Sequence, residues 1–340
     1  MPAEPCPSTT DFAALVARMV RRHLGAQCAV TRQTRLSGGA SQESWAIEVR
    51  GPGVVEKLVL RRVPAVVERR REVKRPAGSA NEARLMQIMK PRGVPVPTVR
   101  WILDAQDGLG EGFVMDWMDG ETIGRKIVRD AAYARARENL AFDCGAALAR
   151  IHLTPRDELP ALRETHPQEY LDGTFREYER QGHRRPVFEM AFQWLRQHIG
   201  RLDPALCLVH GDFRTGNYIL GQDGLRGVLD WEIAHIGHPM EDLGWFCIGS
   251  WRFGQVDLPA GGVGSREALF AGYESAGGRV DAQAVRFWQV MGSLTWGLDC
   301  VEFAREFQRG DRTVERAAIG RRASENEIDL LRLLNPREPR

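Results

Sequence analysis

The sequence predicts an α+β chain of two lobes, an N-terminal lobe built on a mixed sheet and a larger, mostly helical C-terminal lobe. Three observations lead there. Short strand-like stretches crowd into the first third of the 340 residues. After Gly120 the pattern changes to amphipathic helical periodicity. Between the two regimes "FVMDWMDG" reads as a last strand running into a turn, which places the lobes at residues 1–117 and 118–340.

The elements follow in order. Asp11 to His23 sets Phe12, Leu15, Val16, Met19 and Val20 at helical spacing. "VTRQTRLSGGASQESWAIEV" reads as two strands joined by a Gly/Ser turn, and "KLVLRRV" as a third strand. "PAVVERRREVKRPAGSA", framed by Pro64 and Pro76, is a polar surface loop. "SANEARLMQIMK" is a helix, and "VPVPTVRWIL" and "GEGFVMDWMDG" supply the last strands of the sheet. Beyond Gly120, "YARARENLAFDCGAALARIHL", "EYLDGTFREYERQG" and "PVFEMAFQWLRQHI" are helices. The strand "GVLD" and a helical remainder through "ENEIDLLRLL" close the chain.

Composition narrows the class. The 47 Lys and Arg nearly balance the 45 Asp and Glu, so a net charge of +2 points to neither nucleic acid nor a membrane surface. Six cysteines are scattered without a CxxC pair and read as reduced, buried thiols. The first residues lack the basic flank and apolar core of a signal peptide, and no apolar run nears the ~20 residues that span a bilayer. The expected location is cytoplasmic, as a monomer or homodimer.

The chemistry concentrates in "LVHGDFRTGNYIL" and the strand "RGVLDWE". Asp212 follows His-Gly, Asn217 stands five residues later, and Asp230 ends a strand thirteen residues beyond that. Turn chemistry alone accommodates Asp, Asn and Gly in such a loop. The combined spacing, however, is that of a kinase catalytic loop followed by a metal aspartate. Asp212 would accept the proton of an attacking hydroxyl, while Asn217 and Asp230 would hold Mg²⁺ with hard oxygen donors. His235 and His238, three apart beside Asp230, lack a third ligand at tetrahedral spacing, so a zinc site is disfavoured.

With these motifs the chain resembles the aminoglycoside phosphotransferase and choline kinase superfamily, which has the protein-kinase-like fold. It is most similar to the phosphotransferase-like domains associated with acyl-CoA dehydrogenases. The resemblance implies an ATP- and Mg²⁺-dependent enzyme that phosphorylates a small hydroxylated substrate. It makes Gly38, Gly39 and Ser41 backbone donors to phosphate, although the stretch departs from G-x-G-x-x-G and also reads as a plain hairpin turn. Arg61 stands where a phosphate-binding lysine is expected, the alternative being a solvated edge-strand arginine. Glu82 is either its ion-pair partner or the last residue of a Ser79–Glu82 capping box. Asp116, Trp117 and Met118 would offer backbone hydrogen bonds to adenine. His210 takes a structural task, and Asp242 resembles the aspartate that braces the catalytic loop.

The acceptor is the least legible part. The basic run Glu68–Arg75 reads as a solvated loop or as a cover over an anionic ligand. Trp245, Trp251, Phe253, Trp288 and Trp296 read as core first and ligand cage second. Few acids lie on the helices where relatives bind polycations. The expectation is a kinase acting on a hydroxyacyl-CoA or related metabolite. The alternatives are an aminoglycoside O-phosphotransferase and a nucleotide-binding protein without transfer activity.

Overall fold

The computed structural model describes residues 9–36, 42–63, 77–311 and 313–335. Helix α1 (Thr9–Leu24) turns Phe12, Val16, Met19 and Val20 into the interior, as the 3.6-residue period requires. Strands β1 (Ala29–Arg35), β2 (Glu43–Gly51) and β3 (Val54–Arg62) follow, then α2 (Ser79–Met89), β4 (Val99–Ile102) and β5 (Gly112–Asp116). The five strands form one sheet in the order β1-β2-β3-β5-β4.

Every pairing in that sheet is antiparallel, where a mixed sheet was expected. The α2 crossover does return the chain parallel to β3. However, β5 folds back between β3 and β4 and separates the two parallel strands.

The period-two alternation of β3 decides how the first lobe is used. Leu58 and Leu60 pack under α1 in one apolar cluster. Val59 faces the opposite way and joins α2 and the helices beyond residue 120 in the large cluster. One face of the sheet thus closes the N-terminal lobe, while the other is continuous with the core of the second lobe. Arg61, two residues from Val59, is carried onto that inter-lobe face.

The second lobe is helical: α3 (Gly124–Arg129), α4 (Ala134–Arg137), α5 (Leu140–His152), α6 (Pro167–Gln181) and α7 (Pro186–His198). The single helix expected from Tyr133 to Leu153 is divided, because Asn139 leaves helical dihedrals (φ −110°, ψ 3°) and becomes the N-cap of α5. Four short strands follow: β6 (Cys207–Val209), β7 (Tyr218–Gly221), β8 (Gly224–Val228) and β9 (His235–Gly237). They pair as β6–β9 and β7–β8. Helices α8 (Met240–Phe246), α9 (Arg266–Ser275), α10 (Ala282–Gln308), α11 (Val314–Gly320) and α12 (Ala323–Leu334) complete the chain. Among the described residues no helix is long and apolar enough to cross a membrane. Of the described cysteines, Cys28, Cys144, Cys247 and Cys300 are buried and free, and Cys207 is half-buried and free.

Candidate active site

Two small antiparallel pairs fix the site. The loop from His210 to Asn217 runs out of β6 and into β7. The hairpin β7–β8 pairs Tyr218 with Val228, so the residues just outside it also meet, and Leu229 N–H donates to the Asn217 carbonyl at 2.8 Å. Asn217 and Asp230 are thereby delivered to the same end of one hairpin. The hairpin is tied to the inter-lobe segment by Glu121 N–H to Leu220 O at 2.9 Å and Val228 N–H to Pro95 O at 2.7 Å.

Asp212 is held by three side chains. The Trp245 indole N–H donates to Oδ1 at 2.8 Å, Asn217 Nδ2 donates to Oδ2 at 2.7 Å, and Arg214 Nε lies 3.2 and 3.3 Å from the two oxygens. Arg214 in turn lies over the Trp251 ring, 4.7 Å from its centre. Of the predicted aromatic group, Trp245, Trp251 and Trp288 are all buried core residues, and of these Trp245 also reaches Asp212 and Trp251 also reaches Arg214.

The loop backbone hangs from a buried aspartate. Asp242 Oδ2 accepts from His210 N–H at 2.7 Å and Oδ1 from Gly211 N–H at 2.8 Å. His152 Nε2 lies 3.0 Å from Asp242 Oδ2, and its Nδ1 is 2.9 Å from the Tyr273 hydroxyl. Burial opposes a charge on Asp242, yet the His152 hydrogen bond and the loop amides outweigh it and hold its carboxyl below the ordinary range. His210 donates from Nε2 to the Leu229 carbonyl at 2.9 Å and accepts at Nδ1 from Asp212 N–H at 3.2 Å. That pattern fixes a neutral tautomer, and burial pushes the pKa of His210 down in agreement.

The opposite wall gathers around Arg61. Its Nε lies 2.9 Å from Glu82 Oε1 and 2.9 Å from Gln42 Oε1. Its Nη2 contacts Asp230 and lies 3.7 Å from Glu232. Gln42 Nε2 donates to Glu82 at 2.9 Å and stands 3.4 Å from Glu232. Three carboxylates therefore share one guanidinium. Burial raises the pKa of Glu82 to about 7 despite the Arg61 charge. Burial works the same way on Asp230, but there Arg61 and Arg214 prevail and keep the carboxyl below its usual value. Two neighbouring carboxyls are pushed apart by their surroundings, a pattern typical of functional sites.

Asp230 adopts a left-handed conformation, φ 66°. Aspartate tolerates this region better than most residues, at a cost of roughly 1 kcal/mol. The turn buries Trp231 behind it while the carboxylate faces Arg61.

The remaining predicted residues divide. Gly38, Gly39 and Ser41 lie outside the described residues, as does the run from Glu68 to Arg75. Glu82 does not close a capping box: the N-cap of α2 is Gly78 without a side-chain hydrogen bond, and Glu82 turns instead to Arg61. Asp116 N–H donates to Thr98 O at 2.9 Å and Trp117 N–H to Lys57 O at 3.0 Å. The Asp116 carboxylate turns away to Arg100 at 3.0 Å. Met118 N–H makes no backbone bond among the described residues, and the Met118 side chain packs over Gly227 of β8. His235 bonds the Ile233 carbonyl and faces Glu241, while His238 caps α8 through Met240 N–H. Among the described residues no His/Cys/Asp/Glu group suits a zinc ion.

Sequence reading missed Gln42, His152 and Tyr273, and gave Arg214 no part. No local pattern marks His152, because its partner Asp242 lies 90 residues away.

An antiparallel sheet packed over a helical lobe, with an aspartate-bearing loop and a hairpin aspartate between them, defines the kinase-like class of fold. The chain belongs to the phosphotransferase enzyme family, whose model matches residues 32–283. Over an alignment of 235 positions that covers 62% of the chain, it is 28% identical to "Probable acyl-CoA dehydrogenase IBR3" of Arabidopsis thaliana. Over another of 175 positions, covering 49% of the chain, it is 29% identical to acyl-CoA dehydrogenase family member 10 of Mus musculus. The matched stretches span only 27% and 16% of those relatives. Among solved structures, the GDP complex of aminoglycoside 2′-phosphotransferase-IIIa superposes with a TM-score of 0.65 at 15% identity, covering 95% of this chain and 99% of that one. A thermostable mutant of aminoglycoside phosphotransferase APH(4)-Ia, in ternary complex with AMP-PNP and hygromycin B, gives 0.62 at 15% identity over 94% and 97%. At such identities the likeness concerns the fold.

Proposed function

We propose that the chain is an ATP-dependent small-molecule kinase that moves the γ-phosphate to a substrate hydroxyl, with Asp212 as the general base. The single observation that carries this reading is the convergence of Asp212, Asn217 and Asp230 on one hairpin end, facing Arg61 across the inter-lobe face. Asn217 Nδ2 is engaged with Asp212, which leaves its Oδ1 as a hard donor beside the ionised Asp230. This donor pair fits Mg²⁺, which takes one or two protein oxygens and keeps its waters. When bound, the ion would neutralise charge between the phosphates.

The chain's own groups account for the rest. Asp212 already receives donors on both oxygens, so a hydroxyl needs one of them to yield. Arg214 is the candidate, since its bonds are the longest and its guanidinium is partly exposed over Trp251. Moving from Asp212 to phosphate would free the base and place positive charge where the transition state spreads negative charge. Arg61 must likewise release Asp230, and Glu82 keeps it aligned as it does so. Met118 N–H is the hinge donor that remains for a nucleotide base, a role in which Asp116 can offer only its carbonyl.

For the acceptor, the matching stretches within proteins named as acyl-CoA dehydrogenases favour a hydroxyacyl-CoA. The test is a phosphoryl-transfer screen over hydroxylated metabolites that includes hydroxyacyl-CoA thioesters and aminoglycosides, with Mg²⁺ and either ATP or GTP. Transfer to a thioester supports the reading. Transfer only to an aminoglycoside assigns the alternative substrate, and nucleotide binding with no transfer to any hydroxyl assigns a binding protein.

A further inference from the structure

A second cleft, separate from the residues around Asp212, opens between α9, α12 and the turn that follows α8. It encloses about 660 Å³, the range of small-molecule sites. Its walls carry Arg252, Arg266, Arg322 and Arg332 against Glu325 and Asp329. The acids are engaged: Arg322 Nε pairs with Glu325 at 2.9 Å, and Asp329 lies 3.7 Å from Arg332 and also feels the Arg252 charge. Arg252 and Arg266 form no direct ion pair among the described residues, although the Asp329 carboxylate acts on Arg252 from further off. Arg252 donates to the Cys247 and Val256 carbonyls, at 2.7 and 3.2 Å, and Arg266 to Gln289 at 2.6 Å. The Nε of each is buried without an acceptor. Burial pushes the Arg252 guanidinium below its ordinary pKa; Asp329 opposes the shift and Arg266 and Arg332 add to it.

With four arginines against two carboxylates the cleft keeps an excess of positive charge, and its two half-buried guanidinium forks match carboxylate and phosphate oxygens. The rim supplies a second feature. Val256 and Ile328 line the cleft while 63% and 51% exposed, which gives its rim an apolar surface. We propose that this cleft binds an organic oxyanion, its phosphate or carboxylate on Arg252 and Arg266 and its apolar body against Val256 and Ile328. The site also touches the machinery around Asp212. Arg252 directly follows Trp251, which stacks on Arg214, so an occupant would bear on the segment that supports that arginine. The inference stands whether or not the phosphoryl-transfer reading holds.

The experiment is isothermal titration of the full chain, pre-saturated with Mg²⁺ and AMP-PNP, with octyl phosphate, octanoate and octanoyl-CoA. AMP-PNP binding is recorded separately, so its failure would count against the nucleotide site and leave the cleft to be read alone. Expected is saturable binding of at least one probe. Arg266→Gln should weaken it tenfold or more, and Arg332→Gln, at a side chain 70% exposed and safe for folding, should weaken it several-fold. Ile328→Ser should weaken the same probe while AMP-PNP affinity stays unchanged. Binding of octyl phosphate or octanoate assigns a free amphiphile, and binding of octanoyl-CoA alone assigns a larger thioester. Absence of saturable binding by all three, or binding unaffected by the three substitutions, overturns the proposal.

Discussion

The two walls of the site are built on opposite principles. The Asp212 side is satisfied from within: Asp242 accepts two loop amides, His152 and Tyr273 back it, and His210 is locked in one neutral tautomer. The Arg61 side is over-supplied with negative charge, three carboxylates for one guanidinium. The first wall has a preorganised backbone and leaves only Arg214 to move, which keeps the cost of rearrangement at Asp212 small. The second is held by its own ion pairs, which a bound cation and phosphates would redistribute on the proposed reading. On the proposed reading, rigidity lies where the proton would be taken and slack where the nucleotide would enter.

Breaking the rigid wall should have the larger consequences. Asp242→Ala leaves His210 and Gly211 amides and His152 buried without their acceptor, and is expected to cost about 3–5 kcal/mol of stability, read by urea unfolding. Changing the slack wall should move nucleotide affinity, and at a smaller cost to folding, since Glu82 freed of Arg61 can take up a proton. Arg61→Ala is expected to raise the nucleotide KM at least tenfold, with Arg61→Lys restoring part of it, since an ammonium keeps the charge without the fork. Trp245→Phe removes one neutral donor from Asp212 and should lower kcat several-fold at unchanged nucleotide KM.

Glu82 sharpens the contrast through pH. Its pKa in the folded chain, about 7, lies above the ordinary glutamate value of 4.5. A raised value favours the protonated form in the fold, so this contribution to stability is complete below about 4.5 and is lost as pH rises through 7. Glu82→Gln should therefore flatten the pH dependence of the unfolding midpoint between these values. An unaltered slope would mean that Glu82 ionises normally beside Arg61.

How much of this was legible in the sequence follows from range. Asp212, Asn217 and Asp230 sit on one hairpin and its flanking loop, so their relation is local and spacing reveals it. Asp242 was legible by resemblance, with its partners hidden. His152 and Tyr273 come from α5 and α9, and Gln42 from the start of β2; they meet the site only through tertiary packing, and no periodicity announces them. The sheet was placed correctly but its hydrogen-bonding sense was not, because the position of β5 between β3 and β4 depends on which edge is left open. The Ser79–Glu82 pattern was ambiguous for the opposite reason: a local capping signal competed with an ion pair to β3, and burial beside Arg61 won.

The central claim is that Asp212 is the base and is not needed to hold nucleotide. The most direct measurement compares Asp212→Asn with the unaltered chain for Mg²⁺-dependent AMP-PNP binding and for ATP turnover with an accepted hydroxyl substrate. Binding within about threefold, together with a kcat lowered by roughly 10²–10⁴-fold, is the expected result. Turnover retained within tenfold would contradict it.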